Sequence, residues 1–518
     1  MIGKTVFESP EMEERAKMNA ITGDDLKFFK EYKEICSAYQ LAGSTMYFDL
    51  ATAAPKAGVP YRNRMLSVLL GEAFSWQMKP EHLKRLEEMY QKAEEESELK
   101  KELALYFRLI EDVRKLPKEV YVRRKQILAD SQSIWEQAKA KNDFSMFAPY
   151  LEKVIESQKE VLNFLDKSCS DYDYLLDRYE MGTDAGMYDS FFSKVKEKLL
   201  PLIREIQERG RKIDDSVLFA DYDIKEQEAF LEELKDYMQV DRDCCYMGVS
   251  EHPFTEFFSA KEARITTHYH KDSLMSAILS TVHEYGHALY ALQVEEKYDG
   301  TALKDAIGSA MHESQSRLME NHIGRNPAFW ESNYPKLQKR FPDKLGNISL
   351  ERFMEMVNVS RPSLIRTEAD ELTYPVHVLI RYELEKEIFG GGVDVSRLDS
   401  LWNDKYQSYL GVCAARSSEG ILQDIHWSAG DFGYFPTYAL GSAYAAQFFH
   451  AMEKEIPVEE ALRKGDFHVI SNWLKEKIHR YGASKTADEI LVLATGEHFN
   501  PDYYIDYLVE KYTKLYHL

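Results

Sequence analysis

His283, Glu284 and His287 spell H-E-x-x-H within the segment Leu279 to Tyr290. The segment has helical periodicity, and residues four apart on a helix share a face. Two imidazoles on that face bind one zinc ion. The glutamate beside them is placed to take a proton from a water that the metal acidifies. The chemistry expected is hydrolysis by an activated water. Leu279, Val282, Leu289 and Tyr290 give the helix an apolar face for burial, and Gly286 reads as room beside the metal. Such a site needs a third protein ligand and an open position. Glu313, 26 residues after His287, supplies that ligand from a second helical segment, Ala310 to Glu320. Arg317, one turn further on, is placed to orient the carboxylate, and His312 and Gln315 are neighbours. Glu320 is the rival ligand.

Mostly helical elements must position these residues. Glycine (25) and proline (16) both fall below average usage in the 518 residues, which favours long helices over loops and short strands. The fold class expected is mainly α. The first 245 residues read as successive amphipathic helices. One runs from Asp24 to Leu41, with Leu26, Phe29, Tyr32, Ile35 and Cys36 as its apolar stripe; another runs from Met146 to Leu165. Residues 263–269 differ: β-branched and aromatic, they predict a short strand just before the metal helix. An edge strand there would pair with an extended substrate backbone. From Leu350 onward the pattern is helical again, with a turn at Gly390, Gly391 and Gly392 and a break from Gly430 to Pro436. No internal repeat, low-complexity tract or linker interrupts it.

The net charge of −21 argues against nucleic acid and against an anionic membrane surface as partners. The five cysteines, Cys36, Cys169, Cys244, Cys245 and Cys413, form neither a disulfide framework nor a thiolate zinc site. The first ten residues lack an apolar signal core, and no run of eighteen apolar residues exists. The expectation is a soluble protein of the cytoplasm.

Further motifs recur in order from about residue 250 to 440. They are His252, Pro253 and Phe254; Glu262, Arg264 and Thr266; the metal helix; His312, Glu313 and Gln315; Ile365, Arg366, Ala369 and Asp370; and Gly420, Gln423, Asp424, His426 and Trp427. In this series the chain resembles the carboxypeptidase Taq family of metallocarboxypeptidases. Glu262 stands where that family has Asp, and Tyr47 to Leu50 stands where it has a Trp-Asp pair. The resemblance implies an almost wholly helical zinc-peptidase fold with a deep cleft and a short β element beside the metal helix. It also implies a homodimer, stepwise removal of C-terminal residues with broad specificity, and cobalt as a substitute for zinc. On that reading residues 1–518 form a single catalytic domain of helical lobes around one cleft.

An oxyanion formed during hydrolysis needs donors beyond the metal. His426 and Tyr434, eight residues apart beside the chain break, are the candidates, with Tyr438 as the rival tyrosine. A carboxypeptidase must also read the terminal carboxylate of its peptide, which arginine does through a bidentate pair. Arg366 is preferred, with Asp370 one turn away to hold it; Arg264 is second and Arg416 third. His252 and Gln423 are expected to shape the cleft. Two other readings stand beside this one. An oligoendopeptidase would share the metal site without needing the arginine, and a metal-retaining binding protein would not need Glu284.

Overall fold

The computed structural model describes residues 20–518; the first ten residues, read for a signal core, lie outside them. The chain divides into two compact units. One ends at Arg114 and includes Glu295–Asp305. The other holds Lys115–Val294 and Ala306–Leu518.

The first unit is helical. Helix α1 (Gly23–Thr52) opens on a reciprocal cap, in which the Thr22 hydroxyl accepts from Asp25 N and the Asp25 carboxylate accepts from Thr22 N. Helix α2 (Val59–Gln77) follows. Phe29, Tyr32 and Cys36 of α1 form a core with Leu86 and Met89 of α3 (Pro80–Lys92) and Leu103 of α4 (Glu98–Arg114). Of the stripe read from the sequence, these three α1 residues are buried and Ile35 is half-buried. Leu26 is exposed, because it sits one turn ahead of the core that begins at Phe29. The helix also continues past Leu41 to Thr52 and takes in Tyr47 to Leu50, of which Phe48 is buried.

In the second unit α5 (Lys118–Lys141) and α6 (Phe144–Leu162) form a helical hairpin. Asn142 turns it at φ 58°, and the Asp143 carboxylate caps α6 by accepting from Ser145 N. Helix α6 thus begins and ends slightly before the predicted 146–165. Helix α7 (Asp171–Tyr179) leads towards a small sheet of β1 (Cys245–Val249), β2 (Thr255–Ser259) and β3 (Glu262–Thr267). The strand order is β1-β3-β2, with β1 parallel and β2 antiparallel to β3. The strand predicted over 263–269 is therefore β3, and it lies at the centre, not at an edge. Both its neighbours precede it in the chain, and the edges are β1 and β2.

Helix α8 (Leu274–Gln293) packs on β3 and β2. Helix α9 (Ser309–Arg317) packs on α8 and runs into a π-helical turn, Leu318–Ile323. Helix α10 (Tyr374–Phe389) ends at the predicted glycine turn, where Gly391 has φ 82°. Helix α11 (Phe435–Glu455) is buried along nearly its whole length, packed on α9 and α10, as a helix that is apolar all round must be. Among the described residues no helix is long and apolar enough to cross a membrane.

Candidate metal centre

Helix α8 buries Val282, Leu289 and Tyr290 and leaves His283 and His287 part-exposed on one face. Helix α9 crosses it at Gly286. A Cβ at that position would lie 2.6 Å from the Gln315 carbonyl oxygen and 2.7 Å from Ser316 Cα. The room at Gly286 is therefore filled by helix α9, which corrects the sequence reading of space for an ion. Gly441 of α11 plays the same part on the other side: a Cβ there would lie 2.8 Å from Glu313 Cβ.

This packing brings His283, His287 and Glu313 together, with their ligand atoms all within 4.8 Å of one another. Glu313 Oε2 is 3.5 Å from His287 Nε2 and 3.9 Å from His283 Nε2. Ligands about 2.0–2.1 Å from a tetrahedral zinc stand about 3.3 Å apart, so the spacing fits. The outward-facing atoms fit as well. His283 Nδ1 donates to Glu320 Oε2 at 2.8 Å, and His287 Nδ1 pairs with His312 Nδ1 at 2.5 Å. Each ring thereby presents Nε2 to the centre. Glu320, the rival ligand of the sequence reading, stands behind His283. Arg317 Nε donates to Glu313 Oε1 at 2.6 Å, its Nη1 donates to Glu320 Oε2 at 3.2 Å, and its guanidinium lies over the Tyr374 ring.

The electrostatics follow from burial set against charge. Burial opposes ionisation of Glu313, yet the Arg317 charge and the His287 hydrogen bond hold its carboxyl well below the usual range. Glu320 is likewise brought down to about 2, because Arg317 and His283 outweigh its burial. His283 is raised: burial lowers it, but the Glu320 hydrogen bond and the charges of Glu313 and Glu320 prevail. Burial lowers His287. Glu284 is buried and accepts a 2.6 Å hydrogen bond from the Thr255 hydroxyl on β2. Burial pushes its carboxyl up, against the pull of His283 and Thr255.

The remaining sequence candidates fall into two groups. His426, Tyr434, Tyr438, Arg366 and Gln423 come together. His426 Nε2 meets the Tyr438 hydroxyl at 3.3 Å, and Tyr434 lies edge-on to Tyr438 with centroids 5.2 Å apart. Burial brings His426 down to about 4, against the raising effect of Asp424. Burial and the charge on Glu313 both raise Tyr434. Arg366 is buried over the Tyr438 ring and donates from Nε and Nη2 to Asp424 Oδ1 at 3.1 and 3.0 Å. Its Nη1 donates to the Tyr374 hydroxyl. Asp370 does not hold it. That carboxylate accepts instead from the backbone N–H groups of Arg361, Leu372 and Thr373, ahead of α10. Gln423 stitches backbones together, accepting from Arg366 N and donating to Leu364, Glu419 and Gly420 carbonyls.

Arg264, His252 and Arg416 stand outside this group. Arg264 on β3 pairs with Glu262, two residues away on the same strand face, and lies over Phe258. His252 is exposed, and Arg416 is exposed and paired with Glu419. The sequence reading did not single out Thr255, Gly441, Arg381 or Glu385, nor Asp424 as a partner of Arg366. Only Asp424 left a signal, as a carboxylate within a motif already noted.

Comparison with known proteins bears on this geometry. A family model described as carboxypeptidase Taq (M32) metallopeptidase matches residues 28–512. Carboxypeptidase 1 of Bacillus subtilis is 40% identical over 496 residues, covering 95% of this chain and 98% of the relative. Thermostable carboxypeptidase 1 of Thermus thermophilus is 35% identical over 504 residues, covering 95% and 98%. The crystal structure of an M32 carboxypeptidase from Deinococcus radiodurans superposes with a TM-score of 0.91 at 29% identity, over 96% of this chain and all of that one (100%).

Proposed function

We infer what this chain does from the family to which it belongs, the carboxypeptidase Taq (M32) metallopeptidases. It is a metallocarboxypeptidase, a hydrolase of peptides. The finer reading is stepwise release of C-terminal residues, with broad specificity, from peptides that have a free C-terminus. One observation carries the hydrolysis, the ligand atoms of His283, His287 and Glu313 converging beside the buried carboxylate of Glu284, and the buried guanidinium of Arg366 supports the preference for a free C-terminus.

Those three residues would hold a divalent metal, zinc with cobalt as a substitute, which when bound supplies a Lewis acid that acidifies water and polarises a carbonyl. Glu284 takes the proton of the attacking water and hands it to the leaving amine. His426 and Tyr434 donate to the developing oxyanion, with Tyr438 beside them. Arg366 binds the terminal carboxylate. Its Nε, one Nη2–H and one Nη1–H are engaged, which leaves two of its five N–H groups for the carboxylate. Arg264 and then Arg416 are the next choices, and His252 and Gln423 line or brace the cleft. The chain acts as one catalytic domain, as a homodimer. Its five free cysteines suit the reducing cytoplasm.

The test pairs one peptide with its C-terminally amidated twin. Mass spectrometry of the metal-loaded protein is expected to show a ladder shortened from the C-terminus for the first and almost nothing for the second. Arg366→Ala should cost about 2–5 kcal/mol in kcat/KM on the free peptide and nearly nothing on the amide. Internal cleavage of both peptides at equal rates would overturn the exopeptidase reading in favour of an oligoendopeptidase.

A further inference from the structure

Helix α10 carries two ionisable side chains one turn apart, Arg381 and Glu385, both completely buried at 0% exposure. Both reach the same stretch of chain, residues 424–434, which bears His426 and Tyr434. Arg381 donates from Nε and Nη2 to Asp424 Oδ2 at 2.8 and 2.6 Å. Glu385 accepts from three donors: Trp427 Nε1 at 2.8 Å, Gly433 N at 2.9 Å and the Tyr172 hydroxyl at 2.9 Å. The helix thus grips the residue directly after His426 and the residue directly before Tyr434.

The gripped stretch has little structure of its own. It makes one helical turn, His426–Ala429, and then passes through Gly430 and Gly433 at φ 83° and 88°. Gly433 is doubly constrained, since a Cβ there would lie 2.7 Å from the Leu175 backbone of α7. The same helix supplies Tyr172 to Glu385 and sets the Tyr179 ring edge-on to Tyr434, with centroids 5.0 Å apart. An apolar filling of this space would cost less than burying a carboxylate, whose removal from water is costly even when paired. What a carboxylate adds is direction: two oxygens with three donors fix where each donor sits.

We propose that Glu385 is a positioning residue for oxyanion stabilisation, holding His426 through Trp427 and Tyr434 through Gly433. The proposal rests on the roles given above to His426 and Tyr434. It is tested with full-length, metal-loaded variants: Glu385→Gln, Tyr434→Phe, His426→Ala, and Glu385→Gln combined with each of the other two. Glu385→Gln is expected to lower kcat at least about tenfold while KM stays within about twofold and bound metal stays stoichiometric, since the lost interaction belongs to the transition state. In the Tyr434→Phe and His426→Ala backgrounds the same change should cost under about threefold, because residues acting as one unit are not additive.

Trp427→Phe removes one donor and leaves Glu385 in place. It should couple with His426→Ala, whose arm it breaks, at a smaller loss, and it carries the comparison if Glu385→Gln does not fold. Full multiplication of the losses, or a change in KM alone, would overturn the positioning role. Tyr434→Phe and His426→Ala both at wild-type kcat would instead sink the oxyanion reading on which it rests.

Discussion

Two clusters of buried charge lie in the second unit, and they are built to opposite ends. In the first, each of the three candidate ligands turns one atom outward to a partner and one inward: His283 to Glu320, His287 to His312, Glu313 to Arg317. In the second, Asp424 gives one oxygen to Arg366 and the other to Arg381, and both oxygens of Glu385 are engaged. The balance of charge differs as well. In the first, Glu313 and Glu320 share Arg317, Arg325 stands beyond Glu320, and burial pushes the third carboxyl, Glu284, up. In the second, Asp424 bridges the two guanidiniums of Arg366 and Arg381, and burial pushes Glu385 up towards its neutral form. Burial alone therefore does not mark a candidate metal centre; atoms left facing a common point do.

The comparison breaks first at Glu284. Glu284→Gln keeps all three ligands, so metal content should stay stoichiometric while turnover falls by about 10⁴-fold or more, as the water loses both its base and its orientation. Near-normal turnover would remove Glu284 from the chemistry. Next comes the cluster around Asp424. Asp424→Ala strands two buried guanidiniums and should cost about 3–5 kcal/mol of stability in urea unfolding. A variant that unfolds as late as wild type would show that the cluster supports nothing.

The third prediction concerns pH. Burial, against the pull of Trp427, Gly433, Tyr172 and Arg381, raises Glu385 to about 7. Its folded value lies above its unfolded one, so the group's stabilising contribution is complete below the unfolded value and is lost as pH rises through about 7. The stability of wild type relative to Glu385→Gln should fall by about 3 kcal/mol between about pH 4.5 and 8, in paired denaturant titrations. A flat difference would mean that this carboxyl does not titrate in that range. The smallest effect separates ligand from partner. Glu313→Ala should lose well over about 100-fold in metal affinity and Glu320→Ala about 10–100-fold. Equal losses in competition with a chelator would erase the distinction.

What was legible in the sequence was local. His283 and His287 are one turn apart, as are Glu313 and Arg317, so helical spacing alone set their geometry. The mainly helical fold followed from the same periodicity. Glu313 was also placed beside the two histidines across 26 residues, but other partnerships across the chain were missed. Spacing favoured Asp370 over Asp424 for Arg366, but the nearer carboxylate caps the turn before α10 and the one 58 residues away takes the arginine. Strand character at 263–269 was readable, whereas its central place depended on a parallel partner nearly twenty residues earlier. Gly286 read as space for an ion because the sequence does not show which helix crosses it.

That crossing has a consequence for anyone who would re-engineer the centre. Glu313 rides on a helix packed between Gly286 and Gly441: Gly286 faces the Gln315 and Ser316 main chain, Gly441 faces the base of the Glu313 side chain itself, and neither position has room for a Cβ. Side chains usually act as adjustable shims between helices; at these two positions the neighbouring helix offers only a glycine, and the smallest change available there is a whole methyl group. Selectivity for a different ion would have to come from new donor atoms, because the frame that carries the old ones does not stretch.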